Sequence, residues 1–182
     1  YVERKRLFGM PRSSWADYDP AALSEGGAVF ERSAKLVTLS AAAKKRLGVS
    51  RSKLTPHALI QAILGAPVDL LFFGGIGTYV KGRHESDADV GDRSNDALRL
   101  TAAEVKAAVI AEGANLGVTQ PGRVEFALGG GRINTDSVDN SGGVDCSDHE
   151  VNIKILLRAV EHDGQLTRAQ RNRLLAQMTD DV

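Results

Sequence analysis

The sequence contains a single cysteine, Cys146, in 182 residues. One thiol excludes an intrachain disulfide framework and any cysteine-rich zinc site, so the expected setting is a reducing, cytoplasmic one. An excess of either charge is also missing, because 23 basic residues balance 23 acidic ones. Proteins that bind nucleic acid or membrane surfaces usually carry a basic surplus, so neither partner is expected. No apolar run is long enough to span a bilayer, and no signal peptide is visible. Internal repeats and low-complexity tracts are lacking. The first residue is Tyr1 rather than Met, which reads as a piece of a longer chain whose remainder is an expected partner.

What is present suits one domain, or a domain with an appendage. Hydrophobic residues make up 42% of the chain, enough to expect a sizeable core. Residues 1–35 read as irregular, with turn chemistry from Pro11 to Pro20. Ser40 caps a helix over residues 41–47 that Gly48 stops, and Thr55 followed by Pro56 starts another that Gly65 ends. Residues 68–73 are nearly all apolar, as in a strand buried on both faces of a parallel sheet. Residues 82–96 read as an exposed polar loop. Thr101 with Glu104 forms a capping box. A second buried strand over 109–111 ends in Glu112-Gly-Ala-Asn115, and Pro121 opens a short helix. Residues 132–136 are a weaker strand candidate. Helices follow over 151–160 and from Thr167 to about Met178, separated by Asp163-Gly164. This alternation is the rhythm of an α/β sheet, with the cofactor-bearing part expected over 1–150 and a helical C-terminal segment over 151–182.

In open α/β sheets, ligands bind outside the carboxyl ends of the strands. Gly74, Gly75, Ile76 and Gly77 follow the first buried strand, and Gly113 to Asn115 follow the second. A third glycine pair, Gly142-Gly143, precedes the C-terminal helices, so three flexible mouths are expected at one edge. Gly75-Ile-Gly77-Thr-Tyr-Val80 nearly fits a dinucleotide fingerprint, but Val80 stands in the third glycine position and no clean helix follows. A tight turn that lets a ligand approach the backbone fits better. Asn115 reads either as a turn residue or as a ligand contact. Ser147 and Glu150 read as a capping box, which makes Ser147 either a helix cap or a hydroxyl offered to a carboxylate. Cys146 reads as a buried small residue. Asp145, Asp148 and His149 do not share one helix face cleanly, and acidic residues favour a helix start in any case, so no metal is expected.

Several stretches together resemble the very large bacterial NAD-dependent glutamate dehydrogenases: PRSSWADYD (11–19), FERSAK (30–35), DLLFFGGIGTYVK (69–81), GDRSNDALR (91–99), EGANLGVTQPGRVEFA (112–127) and NTDSVDNSGGVDCSDHEVNIKILL (134–157). The resemblance implies part of a Rossmann-like, doubly wound NAD-binding domain. It places Gly74, Gly75, Ile76, Gly77 and Asn115 at the nicotinamide end of NAD, and Val144 and Ser147 at the side chain and distal carboxylate of glutamate. It implies that the glycine fingerprint and the catalytic acid–base groups lie upstream, so none is expected in this chain. The implied reaction converts L-glutamate to 2-oxoglutarate and ammonia, in an enzyme expected to be a homo-oligomer. The family's usual proline near the GAN motif is absent, since Leu116-Gly117 follows Asn115. Another amino-acid dehydrogenase of the same fold, or a non-catalytic nucleotide-sensing module, are the competing readings.

Overall fold

Local capping and turn chemistry start most of the elements in the computed structural model, which describes residues 1–182. The N-terminal stretch, expected to be irregular, carries helix α1 (Val2–Phe8). Arg6 Nε donates to Glu3 Oε2 at 2.7 Å and Arg6 Nη2 to the Asp17 carbonyl at 2.7 Å. Charge pairing one turn apart supports this helix, without the apolar periodicity seen in α3. Strand β1 (Val37–Thr38) is followed by α2 (Ala41–Leu47) and pairs antiparallel with β2 (Lys53–Leu54). Ser40 Oγ accepts the Ala43 N–H at 3.0 Å, and Gly48 closes α2 at φ 68°. Thr55 Oγ1 accepts the Ala58 N–H at 3.2 Å, opening α3 (Pro56–Leu64).

Strand β3 (Leu70–Phe73) begins the central sheet. The chain then builds β4 (Val80–Lys81), α4 (Asp87–Val90) and β5 (Leu100–Thr101) before returning as β6 (Val109–Glu112). Helix α5 (Gln120–Leu128) leads to β7 (Arg132–Ile133). The sheet order is β3-β6-β7 and every pairing in it is parallel, with Phe73 opposite Glu112 and Ile110 opposite Ile133. β4 and β5 form a second parallel pair beside it. The architecture is therefore α/β around a parallel sheet. Its main core joins Phe73, Val80, Ile110, Val118 and Phe126, and a smaller cluster of Val37, Leu39 and Leu59 lies under α3.

Three expectations change here. Only 25 of the 182 residues are buried, a smaller core than the composition suggested. β3 is covered on one face alone: Phe73 is buried while Leu70 and Phe72 are 53% and 60% exposed. β3 lies at the sheet edge, and no element of this chain packs over that face. Residues 82–96 are not a loop, because a Ser86–Asp89 capping box opens α4 and a 3₁₀ turn follows at Arg93–Leu98.

The C-terminal part departs most from expectation. After α6 (Asp136–Asp139), α7 (Ser141–Asp145) runs through a π-helical turn (Cys146–Glu150) into α8 (Val151–His162), with helical backbone angles across both junctions. The expected capping box at Ser147 is absent. Ser147 lies inside this continuous helix, and its Oγ donates to the Gly143 carbonyl at 2.9 Å. A serine hydroxyl that takes the carbonyl one turn back competes with the backbone ladder. The Val151 N–H reaches Cys146 O, one residue further back than an α-helix requires. Cys146 is exposed rather than buried. A Thr167–Gln170 capping box starts α9 (Arg168–Gln177), which folds back on α8 through Arg168 Nε and Glu161 Oε1 at 2.7 Å.

Candidate functional site at the carboxyl edge of the sheet

Because β3 and β6 pair in register to their last residues, the segments after Phe73 and Glu112 leave the same sheet edge. Gly113 N–H donates to the Phe73 carbonyl at 2.8 Å, locking the two mouths together. In the first mouth, the N–H groups of Gly74, Gly75, Ile76 and Gly77 find no acceptor in the chain. Ile76 is 90% exposed, and a Cβ on Gly75 would meet nothing within 4 Å. Gly77 is different: its φ of 126° suits only glycine, and a Cβ there would lie 2.8 Å from Asn95 Nδ2. The chain continues from Gly77 into strand β4 rather than a helix, so the near-fingerprint is a glycine turn at a strand mouth.

A knot of polar groups holds this turn from behind. Thr78 N–H donates to Asp92 Oδ2 at 2.9 Å, and Arg99 Nε donates to the Thr78 carbonyl at 3.0 Å. The Arg99 side chain is fully buried and also bonds Asp87 Oδ1 and Asp96 Oδ1, each at 2.8 Å. The Thr78 N–H, the Asn95 amide and the nearby Arg99 charge hold Asp92 below the usual carboxylate range. Lys81 and then Arg99 do the same for Asp87.

The second mouth is braced from below. Glu112, the last residue of β6, is completely buried and forms an ion pair with Arg123 of α5. Glu112 Oε1 also accepts the Val118 N–H at 3.1 Å, while Arg123 Nη1 donates to the Asn134 carbonyl at 2.5 Å. One carboxylate thus closes the loop from 113 to 118, and one guanidinium ties that loop to the end of β7. Leu116 takes φ 59° in this loop, a left-handed angle rare for a residue with a side chain. A proline ring cannot take that angle, so Leu116 itself could not be a proline in this loop.

The third element arrives through side chains. Asp139 Oδ2 accepts the Glu112 N–H at 3.2 Å and Asp136 Oδ2 accepts the Leu116 N–H at 2.9 Å. Asn140 Nδ2 donates to Asn115 Oδ1 at 2.9 Å. The Asn115 amide nitrogen donates to nothing within the chain and stays available at the mouth. Gly143 leaves no room for a Cβ against the Asn140 carboxamide. Val144 and Ser147 lie one and two turns beyond Asn140 on the same helix, a spacing that keeps all three on one face. Val144 is half-buried and Ser147 exposed.

Residues 74–77 and Asn115 therefore leave one sheet edge, Asn140 reaches it through Asn115, and Val144 and Ser147 extend from Asn140 along the helix. The residues that position them, Glu112, Arg123, Asp92, Arg99, Asp136 and Asp139, did not stand out in the sequence. The available signals were a carboxylate ending an apolar strand and an arginine three residues after a helix start. His149 Nδ1 pairs with Asp145 Oδ1 at 2.6 Å on the helix surface. No group of three or more His, Cys, Asp or Glu side chains is set to hold a metal. No helix is long and apolar enough to cross a membrane.

Comparison with known proteins gives the family. The family described as bacterial NAD-glutamate dehydrogenase, catalytic domain, matches residues 1–182. The chain is 57% identical over 182 residues to the NAD-specific glutamate dehydrogenase of Halomonas elongata, and 58% identical over 182 residues to that of Pseudomonas aeruginosa. It is 57% identical over 188 aligned positions to that of Mycobacterium tuberculosis. Each match covers 100% of this chain and only 11–12% of the relative's length, so the chain spans about a tenth of those proteins. Matched along its whole length, the chain belongs to the bacterial NAD-glutamate dehydrogenase catalytic-domain family.

Proposed function

We propose that this chain forms part of a Rossmann-like, doubly wound NAD-binding domain of a glutamate dehydrogenase, with residues 151–182 beginning a helical C-terminal region. The observation that carries this reading is the departure of residues 74–77 and Asn115 from one parallel-sheet edge, with Asn140 bonded to Asn115 there at the start of the helix that carries Val144 and Ser147. Such an edge is where open α/β sheets take their ligands.

The residues present fit a dinucleotide. Four consecutive unpaired N–H groups at residues 74–77 and the free Asn115 amide offer donors to a carboxamide or an oxyanion. Gly75 leaves the approach open. In this scheme Gly74, Gly75, Ile76, Gly77 and Asn115 hold the nicotinamide end of NAD. Val144 packs the substrate side chain, and the Ser147 hydroxyl meets the distal carboxylate of L-glutamate. That hydroxyl donates its proton to Gly143 O in the free chain, so binding a carboxylate requires it to rotate away from that bond. A π-helical turn at this point suits such a role, since these turns frequently mark functional sites. Bound NAD supplies the hydride chemistry, and the oxidised substrate is released as 2-oxoglutarate and ammonia after hydrolysis. This chain orients the reactants, and the proton-handling groups belong to the rest of the protein.

The test is glutamate-dependent NADH formation by the full-length protein, compared with leucine and valine. Turnover of glutamate well above both is expected, with none from residues 1–182 alone. Preference for an apolar amino acid, or no turnover, sinks the reading.

A further inference from the structure

A cleft of about 320 Å³ opens beside the first glycine mouth, lined by Arg32, Gly74 and Gly75 at its lip. Its floor is apolar and includes Ile60, Leu64 and Leu98, and Phe73 and Tyr79 stack in one wall with ring centroids 5.8 Å apart. Arg32 belongs to the FERSAK segment, which the proposed function does not use. The chain turns there, the Ala34 N–H donating to the Glu31 carbonyl at 3.1 Å, with Arg32 at the corner. Phe30 and Ala34, on either side, pack against the cluster of Val37, Leu39 and Leu59. Leu59 sits in that cluster while its neighbour Ile60 lines the cleft. Helix α3 thereby fixes the turn and the cleft relative to one another.

Arg6, Arg83, Arg99 and Arg123 are all engaged by carboxylates. The Arg32 guanidinium has no acceptor in the chain, and it lines the same cleft as Gly74 and Gly75, whose N–H groups are equally unpaired. A guanidinium and backbone donors in one cleft form a site for an oxyanion, the charge of the guanidinium strengthening its hydrogen bonds.

We propose that Arg32 and the N–H groups of Gly74 and Gly75 form an oxyanion subsite, taking either a phosphate of the dinucleotide or a carboxylate of the amino-acid substrate. The inference rests on the function proposed above. Arg32 is exposed and its guanidinium pairs with nothing in the chain, so its removal breaks no polar contact of the fold.

The experiment uses the full-length protein with Arg32→Gln, Arg32→Lys and the neighbouring control Ser33→Ala. NADH binding is followed by fluorescence titration, 2-oxoglutarate binding by calorimetry on the NADH-loaded protein, and stability by thermal melting. Loss of one charge-assisted contact weakens binding by about ten- to a hundredfold. A loss for NADH in Arg32→Gln identifies phosphate, and a loss for 2-oxoglutarate alone identifies carboxylate. In both cases Arg32→Lys recovers part of the affinity, and melting and Ser33→Ala stay at wild type. Unchanged affinity for both ligands in Arg32→Gln overturns the subsite, as does a loss matched by lower melting. If the unaltered protein binds neither ligand, the glutamate dehydrogenase reading itself has failed, separately from the role of Arg32.

Discussion

The Asn140 carboxamide donates through Nδ2 to Asn115 Oδ1 at 2.9 Å, across 25 residues of chain. The bond joins the start of α7 to the mouth of β6 and engages the Asn115 oxygen, while the amide nitrogen has no acceptor in the chain. Where the amide points is thus decided by a residue on another element. Asn140→Ala in the full-length protein should lower kcat/KM about tenfold, the size of one lost polar contact. Asn115→Ala should lower it at least as far. The double variant should be little worse than Asn115→Ala, because the two act as a unit. Additive losses in the double-mutant cycle would show that the residues work independently.

The buried Glu112–Arg123 pair should be far more sensitive than any surface ion pair. Glu112→Gln leaves the Arg123 guanidinium buried beside a neutral group, and breaking one side of such a pair costs about 3–5 kcal/mol. Arg123→Met alone should cost a similar amount. The Glu112→Gln/Arg123→Met combination should recover part of the loss, since it removes both charges. Urea midpoints of the full-length variants measure this, and a single variant within about 1 kcal/mol of wild type would be incompatible with a brace.

Two glycines three residues or fewer apart should behave in opposite ways. Gly75→Ala adds a methyl into open space, so melting should stay near wild type while NADH affinity falls. Gly77→Ala forces a side chain into φ 126° against Asn95 and Tyr79, so it should lose stability by about 1–3 kcal/mol as well as affinity. If Gly75→Ala binds NADH normally, the first mouth does not contact the cofactor.

Ser147→Ala tests the substrate assignment cleanly now that Ser147 is known not to be a cap. Its exposed hydroxyl bonds only the Gly143 carbonyl, so stability should change by less than about 0.5 kcal/mol. The KM for glutamate should rise while that for NAD holds. Equal changes in both would remove Ser147 from the substrate site.

Acid should loosen the first mouth. Asp87 and Asp92 titrate below their ordinary range in the folded chain, the first held by Lys81 and Arg99, the second by the Thr78 N–H, Asn95 and Arg99. A carboxylate with a lowered folded pKa adds stability above its unfolded value of about 3.9 and loses it as pH falls through the folded one. Amide exchange at Thr78 should therefore be flat from neutral pH to about 5, once corrected for intrinsic rates, and accelerate below about 4. In Asp92→Asn the protection should already be reduced at neutral pH, and the acid-dependent part should shrink.

The alternation of elements, the starts of α2, α3 and α9, the strands β3 and β6 and the glycine turns after them were legible along the chain, whereas the third expected mouth, Gly142-Gly143, lies inside α7. Each depends on neighbours a few residues apart: a hydroxyl three residues before an amide, or a run of apolar side chains. α1 and α4 were missed, since charge pairs and short-range polar caps support them without an apolar stripe. The Ser147 cap was a local pattern overridden, because helical backbone from Ser141 onward leaves Ser147 mid-helix, where its hydroxyl takes a carbonyl instead.

By itself the sequence determined an α/β chain with glycine turns at its strand ends, and its resemblance named the family that the comparisons then showed. Only the tertiary structure decided that Asn140 meets Asn115, that Glu112 closes on Arg123 and that Arg99 secures Thr78. These contacts join residues 11 to 25 positions apart across different elements. They arise from parallel strand register and helix packing, which no single window of sequence contains.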